Sequence, residues 1–183
     1  MKNPIEILAG IIKQNNIDLS FNIIEVGAVQ VSDKQEPFYQ LLDYFPSSKI
    51  FGFELDAAIC SKMNAKAKNG VKYYPYALGK ANEKRKLYIT QHPMCSSLYK
   101  PNEELIRLYN AFDVAYLKEE TEIETITLDD FIIQNIIGEV DFIKIDVQGA
   151  ELDVFKGGKK TLENVLKIVT EVEFVPHYIN QPL

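Results

Sequence analysis

Hydrophobic and polar positions along the chain fall into a repeating order of short apolar runs and amphipathic stretches. An amphipathic run opens the chain, with Glu6 interrupting residues 5–12, and predicts a first helix. Residues 21–26, FNIIEV, are apolar and β-branched and end at Gly27, as a buried parallel strand does. Ser32 with Gln35 has capping-box spacing, and Phe38, Leu41, Leu42 and Phe45 then share one helical face before Pro46. Residues 49–54, KIFGFE, repeat the strand pattern. Asp56 can cap a helix running to Lys68, Gly70 can end it, and residues 71–78, VKYYPYAL, form a third strand.

The turn from Gly79 to Asn82 leads into residues 86–90, KLYIT, which predicts an extra strand hairpinning back on the third. Residues 91–101 read as a loop and residues 103–112 as a helix. The alternating run 121–128 predicts a strand, followed by a helix capped by Thr127 with Asp130. Residues 140–146, VDFIKID, and 167–174, KIVTEVEF, are the fourth and fifth core strands, separated by a Gln148-Gly149 turn and helical sequence around Gly157. Strands that alternate with helices specify an α/β fold with a mainly parallel, twisted sheet covered by helices on both faces. Its 183 residues, 46% hydrophobic, fit one domain: an N-terminal helix over 1–20 and a Rossmann-like core over 21–183.

A formal net charge of −6 with no block of Lys or Arg argues against nucleic acid as a partner. No stretch has the length and apolarity of a membrane span, and the start lacks the pattern of a signal peptide. Cys60 and Cys95 lie far apart without metal-site spacing and read as reduced thiols, so the expected location is cytoplasmic.

In such a sheet a ligand sits beyond the carboxyl ends of the strands, where the strand order reverses. The first strand ends in Glu25-Val26-Gly27-Ala28-Val29-Gln30, placing a carboxylate beside a tight turn. That carboxylate suits a cationic amino-acid group and repels a pyrophosphate. Only Gly27 stands where a dinucleotide signature needs three spaced glycines, which disfavours a nicotinamide-dependent oxidoreductase. Glu54, at the end of the second strand, can accept hydrogen bonds from both hydroxyls of a ribose. On the fourth strand Lys144 and Asp146 share one face. Lys144 is expected to pair with Glu171 or Glu173 of the fifth strand, because a buried ammonium without a partner is costly. The Tyr73-Tyr74-Tyr76 run reads as strand packing.

The segments IEVGA, FGFELD, YALGKANEKRKLYI, SSLYK, ITLDDF and above all DFIKIDVQGAELDVFKGG resemble the FkbM-type family of S-adenosylmethionine-dependent methyltransferases, in order along residues 21–183. The resemblance implies a class I methyltransferase fold, S-adenosylmethionine as cofactor, and O-methylation of a hydroxyl on a sugar or other small hydroxylated metabolite. It implies a methionine-side loop of Glu25, Gly27 and Ala28 with Gln30, a ribose clamp at Glu54 beside Leu55, and an adenine-side contact at Ala77 and Leu78. Ser96 and Ser97 match a serine-rich loop of the family, and Asp146, Gln148 and Glu151 match its motif after the fourth strand. Two departures stand out. Where the family has an Asn and a later glycine, this chain has Gln30 and Val31, and the family's closing antiparallel strand pair has no counterpart before Leu183. The fifth strand is then a sheet edge, expected either to mark a fragment or to be covered by a rearranged tail or a second copy.

A hydroxyl acceptor must lose its proton, and the candidate bases are Asp146 first, then Glu151, Glu173 and His92, although His92 also reads as an exposed loop residue. A divalent cation held by Asp146 and Glu173 stays an open alternative, since hard oxygen ligands suit magnesium, but two carboxylates are thin grounds and no metal site is assigned. The competing reading is a non-catalytic Rossmann-like domain that binds a nucleoside or a protein partner.

Overall fold

The apolar runs assemble into a five-stranded parallel sheet. The structure, a computed structural model, describes residues 3–28 and 35–182. In chain order it contains α1 (Pro4–Gln14), β1 (Asn22–Val26), a 3-10 turn (Pro37–Gln40) running into α2 (Leu41–Tyr44), β2 (Lys49–Phe53), α3 (Ala57–Lys66), β3 (Val71–Tyr74) and β4 (Ala77–Leu78). There follow β5 (Glu83–Thr90), α4 (Glu103–Ile106), β6 (Leu117–Ile126), α5 (Leu128–Gln134), β7 (Phe142–Ile145), α6 (Glu151–Gly157) and β8 (Lys167–Thr170). The main sheet has the order β3-β2-β1-β7-β8, with every neighbouring pair parallel. The α/β class and the parallel sheet are as the sequence predicts.

Period-two alternation divides the core between two faces. Ile24 and Val26, Phe51 and Phe53, Tyr74, and Ile143 and Ile145 pack with Leu128 and Phe131 of α5 and Val154 of α6. The opposite face puts Ile23 and Ile50 against Tyr39 and Leu42, and Tyr73 against Cys60 of α3. Helices therefore cover both faces. Tyr74 also joins an aromatic cluster with Tyr76, Phe53 and Phe131, which makes these tyrosines packing residues.

Several elements depart from the sequence pattern. The third strand breaks at Pro75: β3 stays in the main sheet, whereas β4 joins a separate three-stranded sheet ordered β4-β6-β5. A proline has no N–H to give to a ladder, so the chain changes sheets there. The expected hairpin onto the third strand does not form. Instead β5 pairs antiparallel with β6, from Glu83 opposite Thr125 to Thr90 opposite Leu117. Across this pairing Lys84 and Lys86 of β5 meet Glu122 and Glu120 of β6 at 3.0 and 2.7 Å, exposed pairs that add a small favourable term to the ladder.

The helix expected over 103–112 stops at Ile106. Ala111 has φ +62°, and Leu108 and Tyr109 face solvent, so that no buried face supports further turns. Of the helix expected over 32–45, the described part begins at Pro37, which starts a 3-10 turn. Its Ser32 cap lies outside the described residues. Thr127 does cap α5 through Asp130, and Asp56 caps α3 by accepting from the amides of Ala58 and Ile59.

β8 ends at Thr170 and is the last strand of its sheet, with Ile168, Val169, Val172 and Phe174 exposed nearby. The segment after it covers something else. Ile179 N–H donates to Lys100 O and Asn102 N–H to His177 O, and Tyr178 packs over the Gly149 turn. No described helix is long and apolar enough to cross a membrane.

Candidate functional site

Strand order reverses between β1 and β7, since β2 and β3 lie on one side of β1 and β7 and β8 on the other. Gly27, Glu54 and Asp146 follow directly on β1, β2 and β7, three adjacent strands, so their backbones meet at this reversal. Asp146 N–H donates to Val26 O at 3.0 Å, and Ala28 N–H donates to Phe53 O at 3.0 Å. Gly27 has φ +77°, and a Cβ there would drive into the carbonyl oxygen of Asp146. Glycine is required at this position for the close approach of β1 and β7 as much as for the turn.

Glu25 is 1% exposed and aims into the protein. Its row across the sheet runs Lys144, Glu25, Gly52, Tyr73. Gly52 leaves room for the Tyr73 ring, whose space a Cβ would invade. Tyr39 donates its hydroxyl proton to Glu25 Oε2 at 2.6 Å, and Tyr73 lies 2.8 Å from the Tyr39 oxygen. Because Tyr39 has one proton and gives it to Glu25, Tyr73 is the donor in the second bond. Burial pushes the Glu25 carboxyl up to about 7, against the opposing pull of Tyr39 and Lys144. Tyr39 is held well above the usual phenol range, first by burial and then by the Glu25 charge. Neither tyrosine lies on the apolar face read from the sequence around residue 39. The sequence reading put Glu25 in the methionine-side loop facing the ligand, whereas the structure turns its carboxylate inward onto Tyr39.

At the tip of β2, Glu54 Oε1 accepts from Asp56 N–H at 2.8 Å, and among the described residues no donor meets Oε2. Partial burial raises the Glu54 carboxyl. Leu55 beside it is exposed. At the tip of β7 both oxygens of Asp146 are engaged: Lys144 Nζ lies 3.4 Å from Oδ2, and Gln148 Nε2 donates to Oδ1 at 2.9 Å. Lys144 thus takes its partner from its own strand rather than from Glu171 or Glu173. Glu173 lies beyond the end of β8 and accepts from Gln181.

The remaining candidates have other occupations. Glu151 Oε1 accepts from Val147 N–H at 2.9 Å, so its carboxylate stabilises the turn before α6, and burial raises it. His92 is exposed and its Nδ1 accepts from Met94 N–H, capping a short 3-10 turn. No contact joins it to Asp146. Ala77 and Leu78 are buried, and Leu78 belongs to the main core. Ser97 donates to Gln148 O at 2.6 Å, and Ser96 Oγ accepts from Thr90 N–H. Ala28 is buried, whereas Gln30 and Val31 lie outside the described residues. Among the described residues no group of three or more His, Cys, Asp and Glu is placed to hold a metal ion.

A second buried charge group fixes the loop bearing Ser97. Asp153 of α6, 2% exposed, accepts from Arg85 of β5 at 3.1 Å and from Tyr99 at 2.9 Å, and Arg85 also reaches Leu98 O. It ties the three-stranded sheet and residues 97–99 to α6. The sequence placed Asp153 inside its most specific motif without assigning it a role.

A parallel sheet with acidic residues at the tips of its central strands, and a glycine turn after the first, defines a Rossmann-like methyltransferase fold. The chain belongs to the family defined by the methyltransferase FkbM domain, which matches residues 25–183. It is also similar to the 2-O-methyltransferase NoeI of Sinorhizobium fredii (strain NBRC 101917 / NGR234), with 28% identity over 162 residues. That similarity covers 81% of this chain and 62% of NoeI, so the chain spans under two thirds of its relative's length. No solved structure matches the chain significantly.

Proposed function

We propose that this chain binds S-adenosylmethionine at the tips of β1, β2 and β7 and transfers its methyl group to a hydroxyl of a small acceptor such as a sugar. The observation that carries the reading is the placement of Glu54: a carboxylate at the end of the strand next to the Gly27 turn, with one oxygen held by Asp56 N–H and no described donor on the other. The donor set suits the ligand. Glu54, Asp146 and Glu171 gather carboxylates around the strand ends, and Lys144 is already paired with Asp146. Such surroundings favour a ligand with an ammonium and an unphosphorylated ribose and oppose a pyrophosphate. Membership of a methyltransferase family and the likeness to an O-methyltransferase support the same class of reaction.

When bound, S-adenosylmethionine supplies an electrophilic methyl group on a sulfonium. The chain's own work is to align the acceptor oxygen in line with that carbon, exclude water and receive a proton. Asp146 is the candidate base because its side chain is 38% exposed at the strand tips, where Lys144 and Gln148 fix its orientation, whereas Glu151 holds the turn before α6 and His92 caps a separate 3-10 turn. Glu54 would hold the ribose, and Gly27 and Ala28 would present backbone to the methionine side.

One observation favours a non-catalytic nucleoside-binding domain: the Glu25 carboxylate is turned inward and bonded to Tyr39. Isothermal titration with S-adenosylmethionine and S-adenosylhomocysteine separates these readings from a failed one. Binding of both, weakened at least tenfold by Glu54→Ala, is expected. Heat-silent titrations with the folded protein, confirmed by equilibrium dialysis, would remove the basis for either.

A further inference from the structure

Gln148 follows β7 by three residues and has φ +56°, a left-handed conformation that a residue with a Cβ adopts at a cost. Such a conformation persists where surrounding contacts over-determine it, and it concentrates at functional sites. Here the contacts are specific. The backbone carbonyl of Gln148 accepts from Ser97 Oγ at 2.6 Å. Its side-chain nitrogen donates to Asp146 Oδ1 at 2.9 Å and to Glu171 Oε2 at 3.3 Å. Its side-chain oxygen lies 3.3 Å from the Tyr178 hydroxyl, which also reaches Cys95 O at 2.8 Å.

Chemistry fixes the orientation of this amide. Ionised Asp146 and Glu171 offer only acceptors, so the nitrogen must face them, and the oxygen is left for the phenol. Two N–H groups on one nitrogen serve two carboxylates, one following β7 and one following β8. A lysine at this position would offset one of the two charges, and a glutamate would add a third negative charge. An amide holds both acids and leaves their charge intact.

We propose that Gln148 is a positioning residue that clamps Asp146 and Glu171 as a fixed pair at the mouth of the site, with Asp146 aimed toward the acceptor. The assignment rests on the reading of these strand tips as the methyl-transfer site. Asp146 is then held on one oxygen by Lys144 and on the other by Gln148, which restricts its rotation about the side-chain bonds. The charged and titratable groups around the pair are Lys144 from β7, Glu151 from α6, Glu173 and Tyr178 from the C-terminal segment, and Cys95 from the loop before Ser97. Glu171 is already raised, first by burial and then by Asp146 and Glu173.

The test is carboxyl-detected NMR titration of protein labelled with 13C at Asp and Glu side chains, comparing wild type with Gln148→Met and Gln148→Glu. Losing the bridging donor leaves the two acids facing each other unscreened, so the Glu171 midpoint is expected to rise by about one pH unit in Gln148→Met, and further in Gln148→Glu. Unchanged midpoints for Asp146 and Glu171 in the folded variants overturn the clamp. Should Gln148→Met prevent folding, Gln148→Asn provides the same test, because its shorter amide cannot span both acids and asparagine tolerates the left-handed backbone: the Glu171 midpoint rises by about one unit if the amide is its donor, and stays in place if it is not. S-adenosylmethionine calorimetry on the wild type is read separately. Absent binding removes the methyl-transfer reading and leaves the titrations standing, whereas intact binding with unmoved midpoints removes only the clamp.

Discussion

Glu25 gives the sharpest energetic prediction. Its carboxyl is 1% exposed and raised from 4.5 to about 7, mainly by burial. In the unfolded chain the same group titrates near 4.5, so over the interval between these values the folded state holds a proton that the unfolded state releases. The stabilisation is fully present below pH 4.5 and is lost as pH rises through about 7. A shift of this size at about 1.4 kcal/mol per unit corresponds to about 3 kcal/mol over the whole window, of which about 2 to 3 kcal/mol falls between pH 5 and pH 8.

Glu25→Gln removes the titration while keeping an oxygen that accepts from Tyr39. Urea unfolding of wild type and variant at pH 5 and pH 8 isolates the effect, because contributions from all other groups cancel in the difference. Relative to wild type, the variant should gain about 2 to 3 kcal/mol on going from pH 5 to pH 8. Tyr39→Phe, which removes a bond that favours the charged form, should move the loss of stability to higher pH. A difference between wild type and Glu25→Gln that stays constant with pH would refute the argument that burial raises this carboxyl.

Two further predictions concern the supports of the site. Gly27→Ala should cost about 3 kcal/mol or more in urea unfolding, because the added carbon meets both a left-handed backbone and the Asp146 carbonyl; a cost below about 1 kcal/mol would show that β1 and β7 can separate there. Asp153→Ala should cost about 3 kcal/mol by removing the buried acceptor shared by Arg85 and Tyr99, with Tyr99→Phe costing about 1 kcal/mol in the same assay, and equal small losses from both would refute a buried group there.

The sequence made the main sheet legible because its buried strands carry continuous apolar runs and each ends at a turn or helix cap. β1, β2, β7 and the caps at Asp56 and Thr127 lie where the pattern puts them. What it hid were choices made between distant segments. Nothing local in 71–78 says that Pro75 hands the chain to another sheet, and the matching of Lys84 and Lys86 with Glu122 and Glu120 is visible only when β5 and β6 lie together. The candidate site was legible as positions: Gly27, Glu54 and Asp146 fall at the ends of adjacent strands, whereas Glu25, read as facing the ligand, points inward. It was not legible as contacts. Tyr39 meets Glu25 only because its 3-10 turn packs on the sheet, Tyr73 joins them through the register of β1, β2 and β3, and Tyr178 reaches Gln148 only because the C-terminal segment folds back over the Gly149 turn.

Cocrystallisation with S-adenosylhomocysteine tests the central claim most directly. The account predicts the nucleoside at the reversal between β1 and β7, with its ribose hydroxyls on the Glu54 carboxylate and its sulfur near Asp146. Density for the ligand elsewhere, for example in the cleft lined by Lys100, Asn102 and Arg107, with Glu54 free, would contradict it.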